Sequence, residues 1–279
     1  MGVRAQRRLG QLITYLLLFL GVGIVIAPFW YMVTTSFKPQ TLVFEMPPPL
    51  WPQPATLDNY TAALGKDRFW LYFLNSLIVA VTSTGLTVLV SSLLAYAFAR
   101  LEFPGREALF YVLLLGMMIP PVMLIIPQFI IAKSLNLLNS LQGLIVVYVT
   151  MNLSMQTFLL RGFFEGIPRD LEEAALIDGG SRWTIFWRII LPLSRPGLAV
   201  VTIFTFLYSW DEFPWAHVAM KEASRRTLPI AIALFQSEHL TEWGQVFAAS
   251  IVALIPVVIV FVVFQRHFIR GIASTGLKG

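Results

Sequence analysis

Residues 166–196 read GIPRDLEEAALIDGGSRWTIFWRIILPLSRP, a charged stretch set between two strongly apolar ones. Pro168 suits a first helical position. Asp170, Glu172 and Glu173 then load the opening turns with negative charge, which favours a helix N-terminus. Gly179 and Gly180 offer a left-handed stop. A second short helix is expected to start near Ser181 and end at Pro192. Its Trp183, Phe186, Trp187 and Ile190 fall at i, i+3, i+4 and i+7, one apolar face on a short helix. The insert is ordered where a plain turn would join its neighbours, which calls for a docking partner.

Outward from this stretch the chain is apolar. Of its 279 residues 57% are hydrophobic and 13% charged, with a mean hydropathy of +0.74, too little charge to cover a soluble domain. Runs long enough to cross a bilayer core of about 30 Å recur along it. Six are read, at about 12–33, 71–99, 107–131, 141–160, 196–217 and 246–265. They predict an all-α integral membrane protein, a single transmembrane domain over 1–279 with no room for a separate soluble catalytic domain. The absence of cysteine excludes disulfides and thiolate metal sites.

Orientation follows from Lys and Arg placement. With the N-terminus inside, Arg4, Arg7, Arg8, Arg100, Arg106, Arg161, Arg169, Arg182, Arg188, Arg195, Arg266, Arg270 and Lys278 are inside. Lys38, Lys66, Arg68, Lys133, Lys221, Arg225 and Arg226 are outside. The bias predicts both termini and the 165–195 loop in the cytoplasm, with outside loops at 34–70 and 218–245. It also accounts for the basic balance of the chain without nucleic acid. The first apolar run is longer than a secretory signal core and ends in Phe29-Trp30-Tyr31, an aromatic belt, so it is expected to be a retained anchor. Gln6 stands where a myristoylation motif wants Ser or Thr.

The first outside loop holds Pro39, Pro47, Pro48, Pro49, Pro52 and Pro54, which predicts an extended, stiff wall with Trp51 and Trp70 at headgroup level. Ser and Thr residues from Ser76 to Ser92 suit close helix packing in the second span. Pro120, Pro121 and Pro127 predict a bent third span. In the fourth, Asn152 and Gln156 are four apart on one face, a stripe suited to a polar path. In the fifth, Asp211 and Glu212 are the acidic pair at membrane depth. There an ionisable group faces a cavity or a partner, with Tyr208 or Trp210 placed to stack on a polar solute. Pro214 predicts a bend or stop nearby.

No GxxxxGK[ST] loop occurs, so the chain carries no nucleotide-hydrolysing site of that kind. His217, His239 and His267 are scattered and form no spaced metal pair. Neither GxSxG nor a Ser-Lys pair within a span is present. Catalytic and metal-ligating residues are therefore expected to be none, and energy must come from a gradient or from a separate motor.

At Glu173 a resemblance becomes specific. Glu173-Ala174-Ala175, then Gly179 after three residues, then Ile189, Leu191 and Pro192 match the EAA signature of permease subunits of bacterial ABC importers. The signature also lies in the expected loop before the penultimate apolar run. Asp58-Asn59-Tyr60, Asn75-Ser76, the stretch AYAFAR at 95–100, Trp210-Asp211-Glu212-Phe213 and the ending Gly276-Leu277-Lys278-Gly279 extend the likeness over essentially the whole chain. They resemble the carbohydrate branch, similar to the second permease subunit of the maltose system.

The resemblance implies a type I importer permease fold of six helices in the bacterial cytoplasmic membrane. It further implies a heterodimer with a second permease, two ATPase subunits that hold ATP and Mg, and an extracytoplasmic binding protein that delivers a sugar or related polar solute. The 218–245 loop would reach the binding protein and the tail 276–279 the ATPases. The rivals are a stand-alone ion-coupled carrier that uses Asp211 and Glu212 as a relay, and a membrane scaffold without a passage.

Overall fold

The computed structural model describes residues 3–47, 49–65, 68–235 and 241–275. Helices account for most of them. In chain order they are α1 (Val3–Ser36), α2 (Asp58–Gly65), α3 (Phe69–Arg100), α4 (Arg106–Met118), α5 (Ile125–Ser134), α6 (Leu141–Glu165), α7 (Asp170–Ile177), α8 (Arg182–Ile185), α9 (Leu191–Leu193), α10 (Arg195–Asp211), α11 (Pro214–Ala219), α12 (Leu228–Ala233) and α13 (Trp243–Thr275). The described chain divides into two compact units, Met1–Phe69 with Ile232–Leu254, and Trp70–Ala231 with Ile255–Gly279.

Four helical stretches are long and apolar enough to cross a membrane: Gly10–Ser36, Phe69–Arg100, Leu141–Glu165 and Trp243–Arg266. The third and fifth expected spans are not single helices. Two helix pairs bend at a short break: Arg106–Met118 and Pro121–Ser134 at 96° in the third expected span, and Arg182–Leu193, the second arm of the 166–196 loop, and Arg195–Asp211, with which the fifth begins, at 78°. Counted as one span each, they bring the total to six. The first break has a backbone cause: Ile119 precedes a proline and is extended (φ −91°, ψ 119°), and Pro121 opens a 3₁₀ turn without an N–H to continue α4. The fifth segment is shorter than expected. It stops at Asp211, because Glu212 turns extended (φ −66°, ψ 120°) ahead of Pro214, and 214–219 form the separate helix α11. At the other end of the chain, α13 runs on to Thr275, past the end of the sixth expected span at about 265.

In the first unit the proline-rich loop is more folded than an extended wall. The side chains of Asp58-Asn59-Tyr60, at the start of α2, explain why. Asn59 Nδ2 donates to the carbonyls of Ser36 (2.9 Å) and Lys38 (2.7 Å), and Tyr60 Oη meets Ser36 Oγ at 2.9 Å. These bonds satisfy backbone groups at the end of α1, so the chain is held there rather than released. Trp51 is exposed and packs on Trp30 at 5.6 Å between ring centroids. Trp30 Nε1 donates to Leu50 O. Every residue of α1 from Gly10 to Tyr31 is exposed.

The second unit has two cores. One joins Val79, Leu144, Tyr148, Trp215, Ala216, Met220 and Ile230. The other joins Ala95, Tyr96, Ala99, Leu160, Phe164, Ile185, Phe186, Ile190 and Val201, so it lies directly beneath the 166–196 loop. Gly197 is required where α6 meets α10, since a Cβ there would stand 2.6 Å from Cγ of Phe163. Ser83, Thr87 and Ser91 are fully buried along α3, where hydroxyls of small volume let helices approach.

Candidate functional site

The 166–196 loop folds as two helical arms. Asp170, Glu172 and Glu173 sit in the first turn of α7, as their charge predicted. Gly179 adopts φ +81°, and Gly179 N and Gly180 N bond back to the carbonyls of Leu176 (3.0 Å) and Ala175 (2.8 Å). That is the left-handed stop the two glycines promised. Ser181 caps the second arm, its Oγ accepting from Thr184 N at 3.1 Å.

The second arm departs from a simple helix. After α8 the residues Phe186–Ile190 make a π-turn, which is wider than an α-turn and shifts the register. The expected face of Trp183, Phe186, Trp187 and Ile190 is therefore split. Ile185, Phe186 and Ile190 are sealed inside, whereas Trp183 and Trp187 are exposed. Trp183 stacks on the outer side of Phe186 at 5.7 Å, with 30° between the planes.

The signature residues divide in the same way. Glu173, Ala174, Gly179 and Pro192 are exposed; Ala175, Ile189 and Leu191 are half-buried against the core beneath. With Glu173, the exposed side presents Leu171, Leu176, Ile177, Trp183, Trp187 and Leu193, of which Ile177 is 87% exposed. Apolar side chains concentrated on a charged loop mark a surface that another molecule covers.

Two residues that hold this loop, Arg100 and Tyr96, had no role assigned to them from the sequence. Arg100, the last residue of α3, places Nε 2.9 Å from Glu172 Oε1, and both side chains are buried. Its Nη2 donates to Ile167 O at 2.6 Å and to Phe164 O. Tyr96, one turn earlier, donates Oη to Arg182 O at 3.2 Å. The available signal was the i, i+4 spacing of a tyrosine and an arginine at the end of an apolar helix.

Beside this loop, Arg161 on α6 chelates Glu107 of α4 with two nitrogens (3.0 and 3.2 Å), bonds Glu165 at 2.7 Å, and lies 4.1 Å over the Phe110 ring.

At the other end of α10, Asp211 and Glu212 are not equivalent. Glu212 accepts from Tyr148 Oη (2.6 Å), Trp215 N (2.7 Å) and Ala216 N (3.0 Å), so its carboxylate caps α11 and ties it to α6. Asp211 is exposed and lines a cavity of about 270 Å³ with Gln128, Met151, Tyr208, Trp215 and Glu212 itself. Tyr208 Oη points to Met151 Sδ at 3.2 Å. Trp210 is buried, packed between Phe206 (5.8 Å, near parallel) and Phe73 (5.4 Å, edge-on). Asn152 and Gln156 are buried within the bundle; Asn152 Nδ2 bonds Tyr148 O of its own helix at 2.8 Å, and Gln156 Oε1 accepts no hydrogen bond. Among the described residues no three His, Asp or Glu side chains gather to hold a metal ion. The tail residues Gly276, Leu277, Lys278 and Gly279 lie outside the described residues.

Residues 87–274 match the model of the family described as binding-protein-dependent transport system inner membrane component. The chain belongs to this family. It is a transporter permease subunit, a multi-pass membrane protein. Its curated relatives include the sulfoquinovosyl glycerol transport system permease protein SmoH of Agrobacterium fabrum, 38% identical with 90% of this chain and 88% of that one covered. They also include the diacetylchitobiose uptake system permease protein DasC of Streptomyces coelicolor, 35% identical with 96% of each covered. A third, the trehalose/maltose transport system permease protein MalG of Thermococcus litoralis, is 37% identical with 92% of each covered. A crystal structure of a bacterial ABC transporter involved in the import of the acidic polysaccharide alginate contains a chain of the same fold. Its TM-score is 0.81 at 23% identity, over 96% of this permease and 99% of that chain.

Proposed function

We propose that this permease is one half of the membrane channel of an ATP-driven importer, and that it passes a sugar or a related polar solute received from an extracytoplasmic binding protein. The observation that carries the reading is the 166–196 loop, whose one side is anchored on a buried core while the other displays exposed tryptophans and aliphatics around Glu173. A rigid lever with an unburied apolar face suits a motor subunit that pushes it. ATP and Mg belong to two such ATPase subunits, and a second permease completes the pair.

The sugar class rests on relatives named for sulfoquinovosyl glycerol, diacetylchitobiose and trehalose or maltose. A likeness in fold to a chain of an alginate transporter solved with its alginate-bound periplasmic protein (TM-score 0.69) agrees with a binding-protein partner. The positive-inside bias supports six spans with both termini and this loop in the cytoplasm of a bacterial inner membrane, in a single permease domain over 1–279. The tail 276–279 would then lie on the ATPase side and the 218–245 loop on the binding-protein side. Tyr208, Asp211 and Glu212 line the cavity and are the proposed path residues there; Asn152, Gln156 and Trp210, all three buried, are proposed to shape the path deeper in the bundle. Glu212 is occupied by three donors, which leaves it ill suited to a proton relay.

The test is purification of the tagged chain in mild detergent from its own cell. Co-purification of an ATPase subunit and a second permease is expected. Solute uptake by the lone chain in proteoliposomes, driven by an ion gradient and without ATP, would overturn the reading.

A further inference from the structure

We infer that Arg100, with Glu172 and Tyr96, is the positioning unit of the signature loop: it fastens the loop to α3 and α6 so that the three move as one body. The inference rests on the loop's being the contact to a motor, and it concerns residues outside the signature. Arg100 ends α3, where a cation is favoured by the exposed helix carbonyls. Its guanidinium is a planar fork with five N–H donors, and it reaches three different partners from one position. Nε lies 2.9 Å from Oε1 of Glu172 on α7, an ion pair held by charge rather than by an aligned hydrogen bond. Nη2 is shared between Phe164 O, in the last turn of α6, and Ile167 O, at the entrance of the loop. The carbonyls at a helix end lack intrahelical donors, so the same side chain caps α6 and grips α7.

Tyr96 adds a second attachment one turn back. Its hydroxyl bonds Arg182 O at the start of α8, and its ring lies 5.2 Å from Phe186, which is fully buried. Arg182 Nη1 also stands 3.9 Å from Glu172 Oε2. Both arms of the loop are thus tied to one face of α3, the first through Arg100 and the second through Tyr96. The neighbouring Glu173 is exposed and makes no part of this anchorage among the described contacts. Two adjacent glutamates therefore have opposite duties: Glu172 holds the loop to its own bundle and leaves Glu173 free for a partner. Lysine in place of Arg100 would keep the charge but, as a point donor on a flexible stem, would not hold a carboxylate and two carbonyls in a fixed fork.

The chain has no cysteine, so paired spin labels can be placed in it selectively. Ile177→Cys on the exposed end of α7 and Leu89→Cys on the exposed side of α3 report the loop against the helix. The measurement is their distance distribution by pulsed electron resonance in the purified full assembly, nucleotide-free and trapped with Mg-ATP and vanadate. In the otherwise native chain one narrow distribution is expected, unchanged by trapping. In Arg100→Lys it is expected to broaden at least twofold. In Tyr96→Phe, which leaves the packed ring in place and safeguards folding, a smaller broadening is expected.

A distribution that shifts on trapping in the native chain would overturn the inference, as would Arg100→Lys and Tyr96→Phe both matching it. Failure of the underlying reading is seen separately, as absence of ATPase subunits from the native preparation. The comparison of native and variant distributions without nucleotide still decides the positioning role in that case.

Discussion

Arg100 and Glu172 form a buried ion pair at 2.9 Å, while Glu173, the next residue, stands in solvent. Removing one member of a buried pair strands the other charge, at a cost of about 3–5 kcal/mol. An exposed charge without a partner is worth within about 0.5 kcal/mol. Glu172→Ala is therefore expected to lower the thermal midpoint of the purified permease strongly, and Glu173→Ala to leave it unchanged. Circular dichroism melts in detergent order the two, and equal midpoints would contradict the assignment of duties.

A functional contrast goes with that thermal one. Glu173→Lys is expected to insert and melt as the native chain does, yet to uncouple ATP hydrolysis from uptake in vesicles. Native uptake by this variant would remove Glu173 from the motor contact.

At the far end of α10 the two acids are expected to separate in the opposite sense. Glu212 receives one phenol and two backbone N–H groups, and hydrogen bonds to a charged acceptor contribute about 1.5–3 kcal/mol each. Glu212→Leu should destabilise the permease by several kcal/mol. Asp211→Asn should leave the melt unchanged but slow solute uptake several-fold, because Asp211 faces the cavity and caps nothing. A stable Glu212→Leu variant, measured by the same melts, would refute the capping role.

The close approach at Gly197 predicts a non-additive pair. A methyl group there would press on the Phe163 ring at 2.6 Å, and overpacking costs about 1–3 kcal/mol. Gly197→Ala should be destabilised, and Phe163→Leu should recover part of the loss. Additive effects in the double variant would show that the contact is not what fixes this glycine.

Much of this arrangement was legible in the sequence, for local reasons. Charge at the start of α7, the left-handed Gly179 and the Ser181 cap are short-range effects, and each is found where composition placed it. The apolar runs gave the long helices because burial in lipid needs only length. Two kinds of feature were not legible. The π-turn at Phe186–Ile190 changes helical register without a sequence signature, so Trp183 and Trp187 were assigned to the same face as Ile190. Glu212 looked like half of an acidic pair because nothing local reveals that Tyr148, on another helix, donates to it. Arg100 escaped for the same reason, since its three partners lie more than sixty residues away along the chain.

The most direct test of the account is site-specific photo-crosslinking in intact cells, with the photoreactive residue placed at Ile177, at Trp183 and, as control, at Ile24 on the exposed surface of α1. Crosslinks from 177 and 183 to an ATPase subunit, and none to it from 24, are the result predicted. Crosslinks from 177 and 183 only to membrane subunits or lipid would contradict the claim that the 166–196 loop meets the motor.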